Sequence, residues 1–287
     1  MPPASPTVAS WELGLRLRER RELMGVTALS TGKSVGTGQA YISGVETGKL
    51  KISESKLAEL AAVLEFNGSE TAELQELREA ANQRGWWAPY SAMFNDNLLR
   101  FFGFEYGAES IRTYSAGLIS GWLQTTDYAR AVMSAGAPTI RLAEAERRIE
   151  ARMKRQRRLD GDDPLHLTAL INESALRHQV GGPSVLQAQL RHLEARVEQR
   201  PDNIDIRVIP FTAPCYNALD GSTFHILSFS STRLPDLAWQ ETITSTDLID
   251  QGMRVREYDL AYDQAMESAL DQADSLSLIK QIGEELE

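Results

Sequence analysis

The 287-residue sequence is short of several things, and each shortage excludes a class of protein. It has one cysteine, Cys215, so it can form no internal disulfide and no thiolate zinc cluster. Its four histidines, His166, His178, His192 and His225, are scattered with no ligand spacing between them, and no metal site is expected. No apolar run approaches the roughly 18 residues that a membrane helix needs. The opening MPPASPTVAS lacks the basic start and apolar core of a signal peptide, and the expectation is a cytoplasmic protein without membrane contact. A surplus of positive charge is missing too: the formal net charge is −10, which taken whole argues against a nucleic-acid partner.

What is there changes that last inference. Residues 1–65 carry eight Lys/Arg against seven Asp/Glu, so the acidity belongs to the chain from Phe66 onward. Within that remainder, residues 139–158 hold eight basic and three acidic side chains, whereas residues 257–287 hold nine acidic and one basic. The charge is modular, and the length suits about two domains at roughly 150 residues each.

Residues 1–10 are rich in Pro, Ser and Ala without apolar periodicity, which predicts a flexible arm. From Trp11, helical spacing of Leu13, Leu17 and Met24 predicts a first helix ended by Gly25, and a second begins near Thr27. The chain turns around Gly36 and Gly38, a third helix runs through QAYISGVE to Gly48, and Ser53 caps a fourth with Leu57, Leu60, Ala61 and Leu64 on one face. These four make a domain over 11–66. The stretch 67–90 reads as a linker helix with few apolar residues, chiefly Leu74 and Leu77. Beyond it, 91 to about 133 reads as helical, Pro138-Thr139 opens a long basic helix to Arg158, and four segments, LHLTALI, IDIRVIPF, TFHILSF and LAWQETI, have strand patterns. A helix lies over about 184–199, and the chain from Asp247 returns to acidic helix. The expected class is α+β: an all-α N-terminal domain, then a domain of helices with a sheet of about four strands over 91–287.

Two short helices joined at Gly36 have the form of a helix-turn-helix. Gly32 supplies a small residue where the helices cross, and Gly36 tolerates unusual backbone angles. Ile42 and Val45 anchor the second helix, leaving Gln39, Tyr41 and Ser43 outward, with Gly38, Ala40 and Gly44 completing the segment that enters a major groove. Gln39 can pair bidentately with adenine, and Lys33, Thr37, Lys49 and Lys51 can reach phosphates. A phosphate-loop reading of Thr31-Gly32-Lys33-Ser34 fails, because Thr27 stands where that loop needs glycine.

Leu13-Gly14, Leu17-Arg18, Arg21, Gly25, Thr27, Gly36, Ile42-Ser43, Glu46 and Gly48 together resemble the Cro/repressor-type helix-turn-helix family, the xenobiotic-response-element regulators. Thr31, Gly32 and Gly44 depart from its usual Leu, Ala and Arg. Further on, GWW at 85–87, FEYGAESI at 104–111, GWLQTTDYARAVM at 121–133, RMKRQRRL at 152–159, INESALRHQVGG at 171–182, QLRHLEA at 189–195, IDIRVIPF at 204–211 and STFHILSF at 222–229 resemble the C-terminal domain of actinobacterial regulators that pair with a small toxin-like protein. Ser120-Gly121-Trp122-Leu123-Gln124-Thr125 departs from its usual Pro-Gly-Leu-Leu-Gln-Thr. The resemblance implies an antitoxin-like transcriptional regulator, often encoded beside a small protein partner; the expectation is a DNA-binding regulator that forms a homodimer on double-stranded DNA and is controlled by that small protein.

Rivals are an antitoxin acting by direct contact and a regulator that senses a small molecule. No triad, metal set or cofactor loop suggests an enzyme, and no cofactor is expected. For Trp86, Trp87 and Trp122, packing and a partner pocket both stand. The basic run from Arg147 to Arg158 is open between a solvated face, DNA phosphates and a surface for acidic residues. Glu173 and Glu241 read as an acid pair or as structural partners of arginine.

Overall fold

The computed structural model describes residues 2–136, 142–242 and 245–286. The chain divides into two compact units, one of residues 3–89 with 102–107, the other of residues 90–101 with the chain from 108 onward.

The first unit holds five helices: α1 (Pro6–Leu23), α2 (Ala28–Ser34), α3 (Gln39–Glu46), α4 (Glu54–Val63) and α5 (Gly68–Asn82). Their starts follow from short polar caps. The side chains of Thr27, Ser53 and Asn67 accept hydrogen bonds from the first turns of α2, α4 and α5, and Asn67 forms a reciprocal capping box with Glu70. Gly25, Gly36 and Gly48 end the first three helices with φ near +65°, a left-handed conformation that costs glycine nothing.

Two expectations change here. Residues 6–10 are not an arm: Ser5 caps α1, Pro6 occupies its first turn, and Ala9 and Ser10 are buried. Proline at a first helical position has no N–H to leave unsatisfied, so a Pro-rich start was compatible with helix all along. Nor is α5 a linker. Leu74 is fully buried in one core with Leu13, Leu17, Val35, Ile42, Val45, Ile52, Leu57, Leu60 and Leu64. Arg16 and Arg20 on α1 pair with Glu73 and Glu70 on α5, which fixes the polar sides of the same contact.

The second unit is built on a six-stranded mixed sheet: β1 (Ser110–Ser115), β2 (His166–Asn172), β3 (Ile204–Ile209), β4 (Phe224–Ser228), β5 (Leu237–Glu241) and β6 (Thr246–Ile249), in the order β3-β2-β1-β4-β5-β6. β1, β2 and β3 are parallel, which requires crossovers; β4, β5 and β6 continue antiparallel from β1. The crossovers hold α7 (Thr126–Gly136) and α8 (Leu142–Gln156), then α9 (Glu173–Arg177) and α10 (Pro183–Gln199). Two further helices, α11 (Gly252–Glu267) and α12 (Gln272–Glu284), close the chain, and α6 (Asp96–Gly107) is divided between the units.

The sheet has two strands more than expected. β1 lies in the stretch read as helical, and β6 in the stretch read as the start of acidic helix. Tyr114, Leu170, Phe224 and Ile226 face α11 through Tyr262 and Ala265. The opposite parity, including Thr113, His225 and Trp239, which are register partners across β1, β4 and β5, faces the other way. The start of the long basic helix at 139–141 falls outside the described residues, and the helix itself ends at Gln156 before a 3₁₀ turn over Arg157–Leu159.

Candidate nucleic-acid interface

The turn between α2 and α3 is closed by the backbone. Thr37 N–H donates to Gly32 O at 2.7 Å and Gly36 N–H to Lys33 O at 3.2 Å, and the Thr37 hydroxyl also donates to Gly32 O at 3.3 Å. A Cβ on Gly32 would sit 3.0 Å from the carbonyl carbon and oxygen of Gly38, so glycine there lets the two helices meet. Gly14 does the same for α1, where a side chain would run into the carbonyls of Val45 and Glu46.

α3 is held from beneath and behind. Ile42 and Val45 are buried in the core. Glu46, 7% exposed, accepts from Arg21 twice, at 2.6 Å from Nε and 2.9 Å from Nη2, while Arg21 Nη1 donates to Val26 O at 3.0 Å. The bond to Glu46 raises the Arg21 pKa, so the guanidinium stays charged. The outer face carries Gln39 and Ala40, both exposed, with Gly38 exposed as N-cap and no side chain capping the helix start. Ser43 is half-buried on the same helix. Tyr41, expected to point outward with Gln39, is half-buried and packs against the core, because it lies one turn before Val45 on the inner stripe. The Cα of Gly44 is covered by the Leu50 side chain, and the Thr47 hydroxyl, which sequence reasoning passed over, donates to Ser43 O at 2.8 Å.

The basic side chains of this unit sort into two groups. Arg16, Arg18, Arg20, Arg21, Lys56 and Arg78 all form ion pairs with glutamates. Lys33, Lys49 and Lys51 are exposed and form none among the described residues, and neither does Arg84, which is exposed beyond the end of α5. The three lysines flank α3: Lys33 lies in the last turn of α2, and Lys49 and Lys51 in the loop that follows α3.

The remaining candidates lie elsewhere. Trp87 is buried, Trp86 meets it edge-on at 5.9 Å and stacks on Phe102 at 5.6 Å, all in the first unit. Trp122, in the second unit, is 2% exposed under the Arg155 guanidinium, so packing describes Trp87 and Trp122. The basic run of α8 is largely turned inward. Arg148 pairs with Glu144 and lies over Phe94, Arg155 lies over Phe101 and Trp122, and Arg158 donates to the carbonyls of Ala108 and Asp163. Arg147 and Arg157 stay exposed. Glu173 is a structural partner: it accepts from Arg177 Nε at 2.6 Å and from Phe211 N–H at 2.7 Å. Cys215 is an exposed thiol. Among the described residues, no group of three His, Cys, Asp or Glu is placed to hold a metal ion, and no helix is long and apolar enough to cross a membrane.

A five-helix unit with a glycine turn, an anchored α3 and unpaired lysines on either side of it defines a helix-turn-helix protein. Residues 12–74 match the model of a helix-turn-helix domain, which makes the chain a DNA-binding regulator. Residues 98–281, more than half of the chain, match the family described as domain of unknown function (DUF5753), and the chain belongs to that family. No curated protein and no solved structure matches it significantly.

Proposed function

We propose that the protein is a sequence-specific transcriptional regulator that lays α3 in the major groove, with Gln39 and Ala40 toward base edges and Lys33, Lys49 and Lys51 on phosphates to either side. The observation that carries this is the sorting of charge: where six neighbouring cations are neutralised by glutamates, the three that flank α3 are left for an external anion. The uncapped start of α3 adds N–H groups that favour an anion in the same place.

An eight-residue helix reads only a few base pairs, so useful specificity calls for two copies on an inverted repeat, and we extend the proposal to a homodimer. The antitoxin-like role and control by a small protein partner rest on the resemblance of the C-terminal motifs. The proposed activity is binding rather than catalysis.

The test is a footprint of the purified protein on DNA upstream of its own gene, for wild type and for Lys33→Ala, Lys49→Ala and Lys51→Ala, with and without the adjacent small protein. A protected inverted repeat that weakens with each lysine removed supports the reading. Identical protection in all three variants overturns it.

A further inference from the structure

On the sheet face opposite α11 and in the segment between β1 and α7, the second unit buries polar groups that its own side chains leave unsatisfied. Trp122 Nε1, Trp239 Nε1, His225 Nδ1 and the hydroxyls of Thr113, Ser115 and Ser120 are enclosed and have no hydrogen-bond partner among the described residues. Buried polar groups in folded proteins are nearly always paired, so six in one unit point to something that pairs them.

The cation in the same place is also incompletely matched. Arg152 Nη1 donates to Gln124 Oε1 at 2.6 Å, and Arg152 forms no ion pair among the described residues, in contrast to Arg148 four residues earlier on the same helix. Glu241 acts on it only from a distance, and Arg155 opposes it. Burial pushes its pKa down to about 10, the mark of a guanidinium stripped of water without a carboxylate in exchange. His225, buried beside Phe101, is driven down to about 3 and stays neutral.

Trp122, Trp239 and His225 are linked through Arg155 and Phe101. The Arg155 guanidinium lies 5.3 Å from the Trp122 ring and 5.8 Å from that of Phe101, and Phe101 stacks on Trp239 at 4.2 Å and on His225 at 5.7 Å. A Cβ on Gly121 would lie 3.6 Å from Arg152 Nε. The segment that carries Ser120 and Trp122 is fastened by three glutamines: Gln124 Nε2 donates to Ile119 O, Gln156 Nε2 to Gly121 O and Gln124 O, and Gln189 Nε2 to Leu123 O while its Oε1 accepts from Thr125 N–H. The donors are therefore held in place before any ligand arrives.

We propose that Arg152, Trp122 Nε1 and the Ser120 hydroxyl bind an oxyanion of the phosphate class, either free phosphate or the phosphoryl group of a small molecule. The anion supplies the missing negative charge and the acceptors that an indole N–H and a hydroxyl lack, and charge-assisted bonds of this kind are the strong ones. The site is separate from the α3 surface and stands or falls independently of DNA binding.

The experiment is thermal unfolding of the full-length protein in about 10 mM inorganic phosphate against chloride at equal ionic strength, with phosphorus NMR line broadening as a direct reading of binding. Phosphate is expected to raise the midpoint by a few degrees and to broaden the phosphorus line. Arg152→Met abolishes both effects, and Trp122→Phe, which keeps a ring and removes only the indole N–H, weakens affinity about tenfold. Should Arg152→Met fail to fold, Trp122→Phe and Ser120→Ala decide. The effects persist when Lys33, Lys49 and Lys51 are all alanine, which separates this site from the DNA surface. Tighter binding of glycerol 3-phosphate than of phosphate assigns a phosphomonoester, and equal or weaker binding assigns the free ion. No broadening with wild type, no increment over chloride, or an increment unchanged in Trp122→Phe and Ser120→Ala overturns the proposal and leaves water as the partner of the buried donors.

Discussion

Arg21 grips Glu46 through two hydrogen bonds of 2.6 and 2.9 Å, and in doing so ties the end of α1 to the end of α3. Both side chains are nearly buried, so the pair cannot be broken from one side without leaving a charge behind. Glu46→Ala is expected to destabilise the helical unit by about 3 kcal/mol, measured by urea unfolding of the full-length protein. It is also expected to weaken operator binding more than loss of any single lysine, because α3 loses its rear support. A loss of stability below about 0.5 kcal/mol, as for an exposed pair, counts against this role.

Gln39→Ala and Lys49→Ala separate reading from holding. The first is expected to cost about 1–3 kcal/mol at one base pair of the operator and little on unrelated DNA. The second weakens binding to every sequence and lowers the magnitude of the salt slope by about 1. Fluorescence anisotropy titrations over a range of salt concentrations distinguish the two. Equal losses on specific and unrelated DNA for Gln39→Ala would remove it from base recognition.

Tyr41→Ala behaves differently from either. Its ring packs on the core, so the variant is expected to lose about 2 kcal/mol of stability together with affinity, a coupling that Gln39→Ala lacks.

Two glycines, Gly32 in α2 and Gly44 within α3, have opposite expectations. Gly32→Ala drives a methyl group against the Gly38 backbone and is expected to cost about 1–3 kcal/mol. Gly44→Ala meets only the Leu50 side chain, which can rotate away, and better helix propensity is worth up to about 1 kcal/mol in return. Thermal midpoints of the two variants should fall on opposite sides of wild type.

His225 makes stability depend on pH. Its folded pKa lies near 3, below the ordinary value, so between about pH 6.5 and 3 the unfolded chain takes up a proton that the folded one refuses. Stability contributed by the neutral ring is therefore complete above pH 6.5 and falls by up to about 1.4 kcal/mol per pH unit below it. Urea unfolding of wild type and His225→Phe from pH 7 to pH 5 checks this: the difference between the two curves should slope in that direction, and parallel curves would contradict it.

The helix-turn-helix was legible in the sequence because its punctuation is chemical. Thr27 and Ser53 cap, and Gly25, Gly36 and Gly48 turn, each for a reason visible in the residue type. Tyr41 was expected outward with Gln39, although its four-residue spacing from Val45 is the signal that puts it on the inner stripe. β1 was hidden by its content: a central strand that carries Arg112, Thr113 and Ser115 looks polar, and only the fold supplies Asp259, 2.6 Å from Arg112, to make that arginine tolerable. β6 was hidden by brevity, with four residues of which one is charged. The pairing of lysines and arginines could not be read at all, since Arg16 with Glu73 and Arg20 with Glu70 are more than fifty positions apart, or exactly fifty, along the chain.

The inward stripe of α8 bears on how such a protein finds its site. With Arg148, Arg152, Arg155 and Arg158 engaged within the fold, the basic run contributes less cationic surface than its sequence suggests, in a chain whose net charge is −10. Non-specific DNA binding is therefore expected to be weaker, and to lean less on this segment, than a count of its arginines would suggest.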